Sequence, residues 1–308
     1  AWELSGSPDK LGENPGWDPL QVAIDEAHSR QMLIYAWLNT FPAWQGVTDP
    51  PANVPQLWNT HRDWFMVDKN GNIMEPQGKN LGWYRFISPG IPAVQDYLRD
   101  VYREVVQNYA VDGIHFDYVR HPGEIGDYSY DSISLSRFKK QTGNTPDEAP
   151  EAWDQFRRDN VSSVVRKTYN SVTAINPHIT VTAAVVGKSA NARFIHYSSA
   201  RDWMKEGTMD IIMTMTYVSD LASFRSMNKD HIDNAHGRFV CPGIGVSQIK
   251  TPEDLIEQIE TARMMGAQGV TFFAYHSLFP HHEAGDKAKA LLSGPFKNKA
   301  LTPELTWK

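Results

Sequence analysis

Apolar positions along this chain change period repeatedly, from helical spacing to short continuous runs and back. Leu20, Ile24 and Ala27 recur at helical intervals behind Asp18-Pro19, an N-cap followed by proline at the first helical position, which predicts a helix to about Arg30. A run of apolar and aromatic residues over 31–41 then predicts a buried strand. Val94, Tyr97, Leu98, Val101, Val105 and Val106 mark one face of a helix over 92–109. Five more apolar runs, at about 113–119, 179–186, 210–218, 239–246 and 269–278, read as strands. Helical patterns fill most of the space between them, at 134–140, 152–175, 200–206, 224–235 and 252–265, with a last helix at about 286–292 and an extended tail over 293–308. Strands that alternate with helices pair in parallel through right-handed crossovers.

The exception to this rhythm is 42–90, a stretch rich in Pro, Trp and Asn with a turn expected at Lys69-Asn70-Gly71-Asn72. Connections this long inside a compact domain are uncommon and usually functional. Trp44, Trp58, Trp64 and Trp83 either wall a binding cleft or form a small core that holds the loop together, and the pattern leaves both open.

Composition narrows the class. A chain of 308 residues that is 41% hydrophobic can bury a large core, and no composition break marks a second domain, so 1–308 reads as one unit. The net charge of −6, with no long basic run, does not suggest a nucleic-acid or acidic-membrane partner. A single cysteine, Cys241, excludes an internal disulfide and a cysteine-based metal site. No apolar run approaches a membrane span, and no leader pattern stands at Ala1.

The chemistry concentrates at strand ends. In VDGIHFDYVRHP, residues 111–122, His115 and Asp117 share one face of an otherwise apolar strand, and alternation sends Ile114, Phe116 and Tyr118 to the other. A carboxylate there is costly unless it is paired, hydrogen-bonded or open to a cleft. Asn39, Asp117, Tyr217 and Tyr275 all stand near the C-terminal ends of expected strands, where a (β/α) barrel builds its site. A doubly wound sheet would instead want a glycine-rich phosphate loop after its first strand, and none is present.

The segments GWDPLQVAIDEAHSRQ (16–31), IYAWLN (34–39) and SPGIPAVQDYLRDVYREVVQNYAVDGIHFDY (88–118), with LLSGPF from 291, resemble the bacterial glycosyl hydrolase-like ten family. The resemblance implies a TIM-type (β/α)8 barrel whose first two βα units precede the position of Ala1, and it implies export to the periplasm, cell surface or medium. It also implies a glycosidase acting on a polysaccharide, with amino-sugar cell-wall glycans as plausible substrates and no cofactor. Where the familiar motif has a second aspartate, this chain has Tyr118.

Under that resemblance Asp117 is the expected central catalytic carboxylate, with Arg120, His121 or His115 placed to bond its charged form. The alternative for Asp117 is a structural carboxylate paired with Arg120. Asp220, on the loop after the strand at 210–218, is the first candidate for the partner acid, against the alternative of an exposed loop aspartate. Glu124 and Asp127 are reserves, and Asp112 and Asp210 precede their strands and so belong to the opposite, stability face. Trp37, Asn39, His115, Arg120, His121, Tyr217 and Tyr275 are the expected sugar contacts, each of which could instead be ordinary barrel filling. Two rival functions remain: a metal-dependent barrel hydrolase using His115, Asp117 and His276, and a carbohydrate-binding protein without catalysis. His281-His282 reads as a surface pair, against the alternative of an accidental metal-binding pair.

Overall fold

The computed structural model describes residues 14–75 and 84–308. In chain order the elements are α1 (Pro19–Ser29), β1 (Tyr35–Asn39), β2 (Pro42–Gln45), α2 (Leu57–Thr60), β3 (Tyr84–Phe86), α3 (Pro92–Asn108), β4 (Gly113–Asp117), α4 (Ser132–Thr142), α5 (Pro150–Ile175), β5 (Thr180–Val186), α6 (Ser189–Phe194), α7 (Ala200–Glu206), β6 (Ile211–Met215), α8 (Leu221–Asp233), β7 (Phe239–Gly245), α9 (Pro252–Met264), β8 (Thr271–Phe273), α10 (Tyr275–Leu278) and α11 (Asp286–Ser293). The chain divides into two compact units, one of residues 1–179 with 193–199 and one of residues 180–192 with 200–308.

In the first unit β1 and β4 pair in parallel, with Trp37 opposite His115 and Asn39 opposite Asp117. Helix α1 starts where Asp18 accepts from the Leu20 and Gln21 amides at 3.1 and 3.0 Å, and it buries Ile24 and Ala27. Helix α3 buries Val94, Leu98, Tyr102 and Val106, and packs along the 26-residue α5.

The long connection has more structure than its composition suggests. β2 and β3 close it as an antiparallel pair, and Trp44 and Trp58 are each only 1% exposed. Trp58 lies between two guanidinium groups, Arg62 at 3.9 Å and Arg85 at 4.0 Å from its ring, an arrangement that joins apolar burial to cation–π attraction. Those two tryptophans are therefore a small core. Trp64 is half-buried against Tyr97 and His61, and Trp83 lies outside the described residues. The expected turn forms where the Asp68 carboxylate accepts from the Asn70 and Asn72 amides at 2.8 and 2.9 Å, with Gly71 at φ 83°.

In the second unit β5, β6, β7 and β8 pair in parallel in that order. Phe224, Ile244, Leu255, Ile259 and Leu291 are buried together, and a reciprocal capping box between Thr251 and Asp254 starts α9. Burial pushes the Cys241 thiol up to about 11, as expected for a cysteine that packs as a small apolar side chain. The expected strand over 269–278 stops at Phe273, and 275–278 turns helical as α10. Beyond Thr271 that run has no β-branched residue, and an apolar run alone does not separate strand from helix. The tail, with turns at 294–298 and 306–307, is docked: the Trp307 indole donates to Asp210 at 2.8 Å and meets Phe239 edge-on at 5.0 Å.

The two aspartates assigned to the stability face repeat one device. Asp112, just before β4, accepts from the Ile34 amide at 2.8 Å beside the start of β1. Asp210, just before β6, accepts from the Val181 amide of β5 at 2.8 Å. Each carboxylate ties the beginning of its strand to the neighbouring strand.

Candidate functional site

Strand β4 ends two residues earlier than its apolar run. Asp117 is its last residue, and Tyr118 adopts a left-handed backbone at φ 49°, a conformation that costs a non-glycine residue roughly 1–2 kcal/mol. The expectation that Tyr118 continues the alternation opposite Asp117 is thus corrected: the backbone turns, and the ring packs against Tyr84 at 5.3 Å and Phe86 at 6.1 Å. Arg120 lies over the same ring at 4.3 Å and reaches back to the Asp117 Oδ1 at 3.3 Å. The Tyr118 amide donates to that oxygen at 2.6 Å, so the left-handed turn makes a backbone clamp for the carboxylate.

Asp117 is 7% exposed. Both hydrogen bonds that the described residues make to its side chain fall on Oδ1, and among those residues none is made to Oδ2. Beneath it, Thr40 donates its amide to the Asp117 carbonyl at 2.8 Å, and the Thr40 hydroxyl is bonded to Tyr102 Oη at 2.9 Å. Tyr102 in turn packs at a tilt against Phe116, ring centres 4.5 Å apart. Two donors thus hold Oδ1, while the Thr40 amide fixes the backbone of the strand end.

The face that carries Asp117 also carries Trp37, Asn39 and His115, because residues in register on parallel strands point to the same side. Trp37 is 58% exposed and meets the His115 ring edge-on at 6.1 Å, and Asn39 is exposed. Burial pushes the His115 imidazole down to about 4, against the opposing pull of the Asp117 charge, so the ring is neutral at neutral pH. Between the unfolded value of about 6.5 and 4, the unfolded chain binds more protons, so this group's stabilisation is complete above 6.5 and is lost as pH falls toward 4. The loss is up to about 3 kcal/mol. Denaturant midpoints measured across pH 4 to 7 should fall less steeply in His115→Gln than in the wild type.

Two phenols that sequence reasoning missed stand beside the carboxylate. Burial, and then the Asp117 charge, raises Tyr84. Tyr118 is pushed up to about 12, mainly by burial. Both stay protonated at neutral pH and can donate. Tyr84 sits on β3, in a stretch whose composition reads as loop, and nothing in its neighbourhood signals a strand that returns to β4.

Other expectations are corrected. His121, expected among the sugar contacts, is 2% exposed: its amide donates to the His196 carbonyl at 2.8 Å, and its ring packs edge-on to Tyr197 at 5.1 Å. Asp220 is the N-cap of α8, accepting from the Ser223 amide at 2.7 Å, and that bond lowers its pKa. A general acid needs the opposite shift, so the helix cap removes the reason for choosing it. Asp127 accepts from Tyr130 at 2.7 Å and is paired with Arg157, and the Glu124 side chain lies outside the described ones.

In the second unit Tyr217 lies two residues past β6 and stacks on Phe273 at 5.3 Å, its planes 15° apart. Tyr275 belongs to α10 and not to a strand end, is 60% exposed, and stacks on Phe279 at 4.8 Å. His276, His281 and His282 are exposed, and among the described residues no group of three or more His, Cys, Asp or Glu side chains converges as a metal cage. No helix among them is long and apolar enough to cross a membrane.

The chain is 28% identical over 239 residues to the glycosyl hydrolase DigH of Escherichia coli K12, covering 68% of this chain and 48% of DigH. It is 24% identical over 327 residues to the glycosyl hydrolase YngK of Bacillus subtilis, covering 96% of this chain and 60% of YngK. The chain thus spans about half the length of the first of these relatives. Its fold matches the PgaB (BpsB) glycoside hydrolase domain of Bordetella bronchiseptica with a TM-score of 0.61 at 14% identity, covering 85% of this chain and 74% of that one. The α/β fold is accordingly that of the TIM-barrel glycosidases. The model of the glycosyl hydrolase-like 10 family matches residues 2–242, and the chain belongs to that family.

Proposed function

We propose that this chain cleaves O-glycosidic bonds of a polysaccharide, with Asp117 as the central carboxylate. The observation that carries the reading is the asymmetry of that side chain: Oδ1 is held by the Tyr118 amide and Arg120, while Oδ2 accepts no hydrogen bond among the described residues. Glycoside cleavage passes through an oxocarbenium-like centre that such an oxygen can attack or stabilise. Exposed Trp37 and Asn39 on the same face offer a ring for a sugar's C–H surface and an amide for its hydroxyls. Names of relatives that act as glycosyl hydrolases support the class.

The first unit's described carboxylates near Asp117 leave the partner acid unassigned, since Asp127 is committed to Arg157 and Tyr130. A substrate whose own N-acetyl group serves as nucleophile needs fewer protein acids, and this favours an amino-sugar glycan. Action on such a glycan fits a protein exported from the cell. In this reading Tyr84 donates a hydrogen bond to the bound sugar. Tyr84→Phe should lower kcat/KM by about 2- to 10-fold, the weight of one neutral hydrogen bond, when rates are compared on the same glycan.

The deciding experiment is product analysis on a panel of bacterial and plant polysaccharides, with the wild type beside Asp117→Asn. Full turnover in the variant removes Asp117 from the chemistry. Binding without turnover, unchanged in the variant, would favour a carbohydrate-binding protein.

A further inference from the structure

A pocket of about 540 Å³ lies in the first unit between the turn at Lys69, the exposed side of α4 and the turn at 145–147. It shares no lining residue with the Asp117 group. Its volume is within the roughly 300–1,000 Å³ of small-molecule sites.

Its framework is fixed from outside. Tyr130 donates its amide to the Val67 carbonyl at 2.9 Å and its hydroxyl to Asp127 at 2.7 Å, and its ring leans on Trp153 at 5.5 Å. The far turn is held where the Thr145 amide and hydroxyl both donate to the Glu148 carboxylate, at 2.7 and 2.9 Å. With Leu135 and Pro146, Tyr130 gives the pocket an apolar and aromatic lining.

The charges at its rim cancel in pairs. Lys69 is bonded to Asp147 at 2.8 Å, and Lys139 faces Glu148 at 3.8 Å. A phosphate or carboxylate ligand would have to break those pairs. A neutral polyol would not, because both partners of each pair can bond hydroxyls while staying paired. An apolar ring surface framed by mixed donors and acceptors is complementary to a pyranose, which has C–H faces and a hydroxyl edge.

We propose that this pocket is a second glycan site, taking a neutral saccharide segment against Tyr130, with Ser136, Lys69 and Asp147 bonding its hydroxyls. The choice of a saccharide leans on the glycosidase reading, but the site does not need Asp117 to be the reacting group. It would hold a polymer at a second point and raise the effective concentration of the chain at the reacting face.

The test is an NMR titration of the whole chain, in the Asp117→Asn background so that nothing is consumed. The probes are short neutral glucose and N-acetylglucosamine oligomers. The expected result is movement of the Tyr130, Leu135 and Thr145 amide signals at millimolar sugar. Ser136→Arg, which fills the pocket from an exposed position of α4, should abolish these shifts, and Lys69→Ala should weaken them by about fivefold, equivalent to one hydrogen bond. Unmoved signals at these residues, or shifts indifferent to Ser136→Arg, overturn the proposal. If they stay unmoved while the wild type turns over a glycan and Asp117→Asn does not, the second site falls and the glycosidase reading stands. Shifts that persist beside a wild type without turnover give the reverse.

Discussion

Asp117→Asn is expected to lower glycan turnover by at least about 10³-fold while the protein keeps a cooperative melting transition, to be checked by product formation and by circular dichroism on the same samples. Asparagine has nearly the shape of aspartate and keeps a carbonyl oxygen in the place of Oδ1. The Tyr118 amide bond at 2.6 Å and the Arg120 contact at 3.3 Å therefore retain an acceptor. What disappears is the negative charge, and with it the capacity to stabilise an oxocarbenium-like centre or form a glycosyl bond. Oδ2, which accepts no hydrogen bond among the described residues, is where that loss acts, since its replacement is an uncharged amide. A change of KM with kcat preserved would instead make Asp117 a sugar-binding group. Asp117→Ala would be a poorer probe, because it leaves the 8%-exposed Arg120 guanidinium without its partner and mixes destabilisation with chemistry.

Whether Asp117 could be found from the sequence turned on alternation. A carboxylate in phase with a histidine, on a strand with Ile114 and Phe116 opposite, has to face something polar, and in the structure both apolar residues are fully buried while Trp37 and Asn39 stand exposed on the other side. Alternation failed one residue later. Tyr118 follows no strand periodicity because its backbone is left-handed, a state that nothing in the tyrosine side chain announces. The aspartates before strands were legible for the same geometric reason that Asp117 was, since a residue at a strand's start lies at the end opposite the site.

Asp220 stood as the first candidate for the partner acid because an aspartate on a rim loop and an aspartate at a helix N-cap look alike until the helix start is known. Asp220 stands three residues before Ser223, whose amide it accepts, and so caps α8, which begins at Leu221, earlier than the helical pattern at 224–235. The tryptophans of 42–90 posed a similar choice. Only the non-local pairing of β2 with β3, and the two arginines that enclose Trp58, decide that Trp44 and Trp58 hold the loop together. Tyr84 was invisible for the same reason: its closeness to Asp117 depends on that pairing and on the Tyr118 turn. Tyr275 was misplaced because VTFFAY is mostly apolar and aromatic, and its change from strand to helix after Phe273 leaves no break in that run.

The second large effect is on stability and leaves the chemistry alone. Asp210→Ala is expected to destabilise the second unit by about 3–5 kcal/mol, seen as a fall of roughly 10 °C in Tm. Asp210 has no exposed surface, yet its two oxygens receive the Val181 amide at 2.8 Å, the Trp307 indole at 2.8 Å and the Lys308 ammonium at 2.9 Å, with Arg238 at 3.5 Å. Alanine removes the buried negative charge beside two cations, 10% and 15% exposed in their side chains, and it removes the acceptor of a strand-starting amide. Asp210→Asn separates the contributions, since it keeps an acceptor for Val181 and loses the charge. If the ion pairs dominate, it should fall close to the alanine variant, and if the backbone tie dominates, close to the wild type. Removing Trp307 and Lys308 tests the same centre from the other side. A truncated chain with an unchanged Tm would mean that the tail merely rests on the carboxylate, whereas a fall approaching that of Asp210→Ala makes the tail the clasp that justifies a buried charge before β6.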